Sequence, residues 1–531
     1  MTPAAPDARA SSAAAVAVLV AAWAVYVGRF WLAPPPPVTS ADDGVLYVAA
    51  AVHLREPALF AGDWGFQALA PLIEPLVYTR ILARLSPWWD TPEALLRACS
   101  ALLILGFALG TFALVRAITG RIVIALLAGL IALRPRMAWL AEWGILMGQP
   151  LARSVIMAAA PWLLLWIWRA RERPRRLAWP GLAIGLSALV HPLSAIQLAM
   201  VAVLQELVLL SGVRAITALA AGIVLGVLPA LAHHGPLLAD HPAPLWFLRF
   251  RNPELLPSGL PAFAGPLVFD FGVPLLALAL TLRASRACLE PRAFRWSCAG
   301  IAAALTLTMA TVLAPLVPAL ARFSLGRASG FLYLFLSVPV LAVARALWIA
   351  GGAPRLAALA LVGALAFSTG AGWDALVGRA VVGAGIPLGE RASWNPSRPP
   401  DPLPALSFSP HEPRAFRELA DWLRGQTPPS ALVLAAPADA AALRVYARRS
   451  TVVATKDGGL FIFSAAKATA WYARFRDVVT AYAGAEPAAL LAVARRYGAT
   501  HILAPPAGPP MPLARVFANG AYVVYRVDAA P

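Results

Sequence analysis

Pro161-Trp162-Leu163-Leu164-Leu165-Trp166-Ile167-Trp168-Arg169-Ala170-Arg171-Glu172-Arg173-Pro174-Arg175-Arg176 decides the fold of this 531-residue chain. An apolar run stops abruptly at a knot of arginines. That is how a membrane-spanning helix ends at a cytoplasmic face, because Lys and Arg gather in the short loops on that side. Apolar runs near the roughly 20 residues that cross a bilayer core recur on both sides of it through the first two thirds of the chain. With 60% hydrophobic and 13% charged residues and a mean hydropathy of +0.70, a soluble domain is excluded, since it would expose large apolar patches. The fold class is an α-helical polytopic membrane protein.

Working outward from the arginine knot gives about eleven spans. The first runs roughly over 12–32 and is expected to be an uncleaved anchor, since no small-residue cleavage site precedes Pro34-Pro35-Pro36-Pro37. Two spans flank the turn Gly120-Arg121, and a wet segment, 136–153, precedes the quoted run. Residues 178–210 are too long for one span and are broken at His191-Pro192, which predicts two short helices meeting there. The remaining spans end near Ala232, Arg283, Pro315, Arg345 and Thr369. Loops at Arg116/Arg121, 169–176, Arg214, Arg283–Arg295 and Arg345/Arg355 are basic and fall on one side. Loops with Asp42/Asp43, Glu142, Asp240 and Arg322/Arg327 fall on the other. The N-terminus is therefore expected in the cytoplasm and the C-terminal portion outside.

The net charge of +18 is almost all arginine, with Lys456 and Lys467 the only lysines. In this setting the excess sets orientation and faces lipid phosphate, so nucleic acid is not the partner. Cys99, Cys288 and Cys298 form no CxxC pair, which speaks against a structural disulfide or zinc site. The expected domains are a membrane domain over 1–372, with 33–93 as its first external loop, a Pro- and Ser-rich linker over 373–413, and an external α/β domain over 414–531. In that last part, helices at 415–424, 440–448, 465–482 and 488–497 alternate with strands at 431–435, 450–455 and 500–504. A hairpin is expected around Asn519-Gly520. No glycine-rich loop follows a strand, so nucleotide binding lacks support. The domain reads as an acceptor-binding or lid module.

Within the first external loop, 44–54 and 66–85 read as helices lying along the membrane interface, with Trp64, Trp88 and Trp89 at headgroup level. Ala41-Asp42-Asp43-Gly44-Val45-Leu46-Tyr47 stands at its start. One Asp suffices to cap the helix that follows, and Asp43 is better placed for that. The second is spare, and acids at a membrane boundary mark function.

This Asp-Asp…Tyr pattern after the first span resembles the first external loop of the GT-C glycosyltransferase superfamily, including protein O-mannosyltransferases and lipid A aminoarabinose transferases. Leu96-Arg97-Ala98-Cys99-Ser100 and Thr119-Gly120-Arg121 resemble that superfamily's second and third spans. Trp422-Leu423-Arg424, Arg448-Arg449-Ser450 and Tyr497-Gly498-Ala499-Thr500-His501 resemble the external domain of related bacterial membrane proteins.

The resemblance implies a bacterial cytoplasmic-membrane enzyme that takes a sugar from a polyprenyl-phosphate donor and passes it to an external glycan, lipid or protein. It implies Asp42 as general base, with Asp43 as helper or cap. Donor phosphate or acceptor would be held by Arg153, Arg322, Arg327, His191 and Tyr47, with Asp63 and Glu74 joining the acids. Lysines are missing from the external loops, so a phosphate clamp must be arginine. Oligosaccharyltransferases of the superfamily use a divalent metal held by acids. The spacing of His233, His234, Asp240 and His241 matches no ligand pattern, so no metal ligand and no cofactor beyond the donor lipid is assigned. The alternative is a non-catalytic factor for translocation or assembly of lipid-linked glycans.

Overall fold

The computed structural model describes residues 7–32, 44–89, 91–134, 136–137, 142–143, 145, 150–238, 240–251, 260–314, 316–367 and 413–527. Asp42, Asp43 and the expected linker up to residue 412 lie outside them. The helices are α1 (Asp7–Leu32), α2 (Gly44–Arg55), α3 (Trp64–Ile73), α4 (Val77–Leu85), α5 (Pro92–Thr119), α6 (Ile122–Ala132), α7 (Ala152–Ala170), α8 (Ala178–Leu186), α9 (Pro192–Val208), α10 (Val213–Leu238), α11 (Leu245–Arg251), α12 (Leu260–Cys288), α13 (Pro291–Ala310), α14 (Leu332–Ala350) and α15 (Pro354–Phe367), then α16 (Pro413–Gln426), α17 (Pro437–Tyr446), α18 (Ala465–Gly484) and α19 (Pro487–Tyr497). Strands are β1 (Arg136–Met137), β2 (Glu142–Trp143), β3 (Leu432–Leu434), β4 (Ser450–Thr451), β5 (His501–Ala504), β6 (Ala514–Ala518) and β7 (Val523–Arg526). Among the described residues, five helical segments are long and apolar enough to cross a membrane: Ser12–Leu32, Pro92–Thr119, Val213–His233, Pro291–Leu313 and Leu325–Ala350. Shorter apolar helices accompany them.

The chain divides into two compact units. The first comprises Met1–Pro34, Arg97–Ala232 and Pro253–Pro396, and its described residues are helical apart from the small antiparallel pair β1–β2 and connecting turns. The expected break at His191-Pro192 is present: α8 passes through a 3-10 turn, Ser187–Leu189, and α9 restarts at Pro192, where a missing N–H costs nothing. Trp296 of α13 is buried at the centre, its ring 5.7 Å from Trp168 and 5.1 Å from Phe335. The arginine knot after α7 is tied down. Arg171 reaches buried Glu206 at 3.2 Å and Ser211 at 3.1 Å, and Arg292 reaches Glu172 at 3.1 Å while lying over Trp168.

Two glycine pairs bring α8 and α10 into backbone contact. A Cβ at Gly181 or Gly185 would strike the carbonyl oxygen of Leu219 or Ile223. One at Gly222 or Gly226 would strike that of Ala178 or Leu182. Small residues four apart on facing helices are how apolar helices pack closely without a hydrophobic driving force between them.

The second unit comprises Pro35–Leu96, His233–Asn252 and Ser397–Pro531. Its sheet has the order β4-β3-β5-β7-β6. β3 pairs in parallel with β4 and β5, and β7 pairs antiparallel with β5 and β6, the latter pairing bulged between Arg515 and Phe517. The expected strand over 450–455 is only two residues long, because the chain turns into a 3-10 helix, Thr455–Phe463, that plants Asp457 in the interior. The helix expected over 66–85 is two helices, separated at Glu74-Pro75-Leu76. In α2, Gly44 to Ala51 are all buried, so the expected interfacial helix is a core helix of this unit. Its residues are small or apolar on every side before His53, and a helix without a polar face is buried all round. α19 ends at Gly498, whose φ of +70° suits a residue without a Cβ.

Candidate functional site

Of the residues singled out in the sequence, Tyr47, Asp63 and Glu74 belong to the second unit, and Arg153, His191, Arg322 and Arg327 to the first. Tyr47 is buried on α2, edge-on to Tyr78 at 5.2 Å. Asp63 and Glu74 bracket α3 at opposite ends, about 16 Å apart along its axis at ~1.5 Å per residue. The structure therefore does not gather them into one acid cluster. Glu74 instead meets His53 Nδ1 at 2.5 Å, and the His53 ring packs against Phe66 at 5.2 Å.

Asp63 is fully buried and entirely occupied. Its Oδ1 accepts from the Phe66 amide at 2.8 Å, which caps α3. Its oxygens also accept from Arg444 Nε and Nη2, both at 2.7 Å, and from the amide and hydroxyl of Thr451 at 2.9 and 3.1 Å. Arg444, on α17, donates its other contacts to Asp457, Nη1 at 2.6 Å and Nη2 at 2.8 Å. All three side chains are inaccessible to solvent. Burial alone would draw the proton from Arg444, but Asp457 and Asp63 outweigh it and hold its pKa above the ordinary value. Burial pushes the Asp457 carboxyl up, against the pull of Arg444. The approach is close enough to favour glycine at position 65, because a Cβ there would run into Asp457 Oδ2 unless that side chain shifted.

This cluster stitches the α3 segment to the sheet domain, and it does not stand alone. Tyr446 donates to Glu93 at 2.5 Å, Arg448 to Glu56 at 2.6 Å, and Lys467 to the Ala68 carbonyl at 3.1 Å. In the same unit α2, which begins at the residue after Asp43, packs its buried residues against α4 and α17. Sequence reading missed Arg444 and Asp457. The one signal was that Asp439 and Arg444 are charges within an otherwise apolar, small-residue segment.

In the first unit His191 accepts from the Ser194 amide at 3.2 Å and contacts the Ser194 hydroxyl at 2.9 Å, so it caps α9. Gln197, about 9 Å further along the helix at ~1.5 Å per residue, donates to the carbonyls of Phe323 and Ser324, both at 2.9 Å. It thereby pins the stretch carrying Arg322 and Arg327, which turns at Ser324 with φ of +48°. The His191 helix and the two arginines thus belong to one packed neighbourhood. Gln197 was legible as a polar residue within an apolar span. Arg153 lies in the first turn of α7, half-buried.

The carboxyl ends of β3 and β5, where the chain leaves in opposite directions and open α/β sheets bind ligands, are plugged. The hydroxyl of half-buried Tyr482 sits against the carbonyls of Leu434 at 3.0 Å and Leu503 at 2.6 Å. Burial, with Asp439 adding to it, pushes this phenol well above its ordinary pKa, so it stays protonated. Among the described residues, no three of His, Cys, Asp and Glu converge as a metal would require.

Residues 414–478 match the model of a family described as a domain of unknown function, DUF6798. No curated protein sequence matches the chain. Solved structures of the oligosaccharyltransferase of Archaeoglobus fulgidus are similar to it. The apo form has 13% identity and a TM-score of 0.47, over 92% of this chain and 69% of that one. A complex with an inhibitory peptide and a dolichol-phosphate has 12% identity and a TM-score of 0.43, over the same shares. A complex with Zn and sulfate has 15% identity and a TM-score of 0.39, over 92% and 68%. That oligosaccharyltransferase is a GT-C glycosyltransferase. At such identities no residue role passes between the chains.

Proposed function

We propose that this protein is a bacterial cytoplasmic-membrane glycosyltransferase with about eleven spans. It moves a sugar from a polyprenyl-phosphate carrier to a glycan, lipid or protein acceptor at the external face. The observation that carries this reading is the burial of α2: the helix that follows Asp42-Asp43 in the chain is packed into the second unit against α4 and α17. A base that must meet an acceptor hydroxyl within hydrogen-bond reach needs such a mount.

In the proposed step the acceptor oxygen bonds to the anomeric carbon while the bond from that carbon to the carrier phosphate oxygen breaks. The acceptor proton passes to Asp42. The departing phosphate keeps the electron pair, its charge met by Arg322, Arg327 and Arg153, whose planar forks suit phosphate oxygens. His191 orients α9 and, through it, the stretch held by Gln197.

Native mass spectrometry of the gently purified protein tests this. A bound mass corresponding to a polyprenyl phosphate or its glycosylated form is expected, and it should diminish when Arg153, Arg322 and Arg327 are replaced by Gln. Asp42→Asn should leave the bound carrier glycosylated rather than discharged. Bulk phospholipid alone across several mild detergents would overturn the donor reading. An unchanged glycosylated fraction in Asp42→Asn would move the protein to a non-catalytic role in translocation or assembly of lipid-linked glycans.

A further inference from the structure

We infer that the second unit carries a binding pocket for a small anionic sugar unit, a ring bearing one carboxylate or phosphate, separate from the proposed transfer chemistry. A cavity of about 260 Å³ lies among α2, the segment leading into α5, α16 and the end of α17. Its walls follow helical period. Val48, Ala51, Val52 and Arg55 present one face of α2, and Arg417, Ala420, Asp421 and Arg424 one face of α16. The small Ala51 and Ala420 leave the space between these faces open.

Four arginines from three elements, Arg55, Arg417, Arg424 and Arg448, line it against two acids, Glu93 and Asp421. Among the described residues each guanidinium is engaged at one nitrogen: Arg55 with Ser86 at 3.1 Å, Arg417 with Glu93 at 3.5 Å, Arg424 with Asp421 at 2.6 Å and Arg448 with Glu56 at 2.6 Å. A guanidinium carries five N–H donors, so each retains donors for an anion. Glu93 is only 4% exposed and is fixed by the Tyr446 hydroxyl at 2.5 Å. It offers a rigid acceptor for a ring hydroxyl, and the Trp89 ring supplies a flat wall. An excess of arginine, a buried carboxylate and an aromatic wall fit a hydroxylated ring with a negative substituent. The volume lies just below the ~300 Å³ lower end of ordinary ligand pockets, which suits one ring rather than an extended glycan.

Two sources supply that chemistry: an acidic sugar of a glycan, or a lipid headgroup that combines phosphate and a polyol ring. Calorimetry on the full-length protein in phosphatidylcholine nanodiscs, titrated with glucuronate, glucose 1-phosphate and glucose, tests the pocket. Repetition in discs containing phosphatidylinositol separates the sources. At least one anionic sugar is expected to bind saturably, more weakly as salt rises, while glucose does not. Binding abolished by phosphatidylinositol assigns the site to a headgroup, and binding unaffected by it to a glycan sugar.

Arg424→Gln with Arg448→Gln should weaken binding by about tenfold or more, since charge-assisted contacts are lost. Arg414→Gln, whose side chain pairs with Glu418 away from the cavity, should not. Val52→Trp, which fills the cavity and leaves every charge, should abolish binding in protein that still melts cooperatively. The pocket is refuted by equal affinity for glucose, by no saturable binding of either anion in either disc, or by wild-type affinity in the double arginine variant.

Discussion

Arg444→Met tests the buried ion cluster most directly. The substitution keeps a long unbranched side chain but removes four charge-assisted hydrogen bonds, with N···O distances of 2.6–2.8 Å. It leaves Asp63 and Asp457 facing each other without a cation in a site closed to water. Removing one partner from a buried charge pair costs about 3–5 kcal/mol, a large share of the ~5–15 kcal/mol that holds a domain together. For a body of this size, at ~2–4 °C per kcal/mol, the first melting transition should fall by about 6–20 °C.

Scanning fluorimetry reads that shift, and hydrogen exchange localises it. The amides of Phe66 and Thr451, both donors to Asp63, should lose protection together although they are 385 positions apart in sequence. Arg444→Lys should fall between, since an ammonium cannot span both carboxylates. Combining Arg444→Met with Asp63→Asn and Asp457→Asn should recover much of the loss by removing the stranded charges. A drop of less than about 2 °C in Arg444→Met, at most about 1 kcal/mol by the same conversion, with protection unchanged at both amides, would refute the reasoning.

Three further outcomes are expected. Gly65→Ala should destabilise the second unit by about 1–3 kcal/mol through overpacking, because its Cβ meets Asp457 and Arg444. Gly62→Ala, whose Cβ has Ser450 Oγ at 3.9 Å as its nearest neighbour, should be silent in the same melts. Gly185→Ile or Gly222→Ile should separate α8 from α10 and lower the detergent melting temperature of the first unit, whereas Gly120→Ala, with open space around it but φ of +67°, should cost only about 1 kcal/mol of backbone strain. His501 sits at the start of β5, and burial, with Arg526 and Arg449 adding to it, pushes its pKa below the ordinary 6.5. The unfolded chain then binds this proton more readily than the folded one. Stability is therefore full above 6.5, falls as pH drops through 6.5, and levels off below the folded value. Melting temperatures between pH 7 and 5 should show this decline, and His501→Gln should flatten it.

The membrane class, the break at His191-Pro192 and nearly every element of the C-terminal domain were legible from the chain, because apolar period, proline and turn residues act over a few neighbours. The glycine pairs of α8 and α10 were also written there, four residues apart at 181/185 and 222/226, though nothing local says which helices they join. The part played by Asp63 was not legible. In sequence it is one acid among several in a hydrophilic loop, as eligible for solvent as for substrate. Its partners lie 381 and 394 positions away, and only folding brings an arginine and a second aspartate to it. The missing polar face of α2 before His53 was written in the chain, but not which elements cover it, since that depends on α4 and α17 arriving there. Sequence determined what each segment can be, through short-range sterics and hydrophobic period. The tertiary structure decided which charges cancel one another in the interior and which arginines are left facing a cavity, because electrostatic pairing depends on distance in space and on exclusion of water.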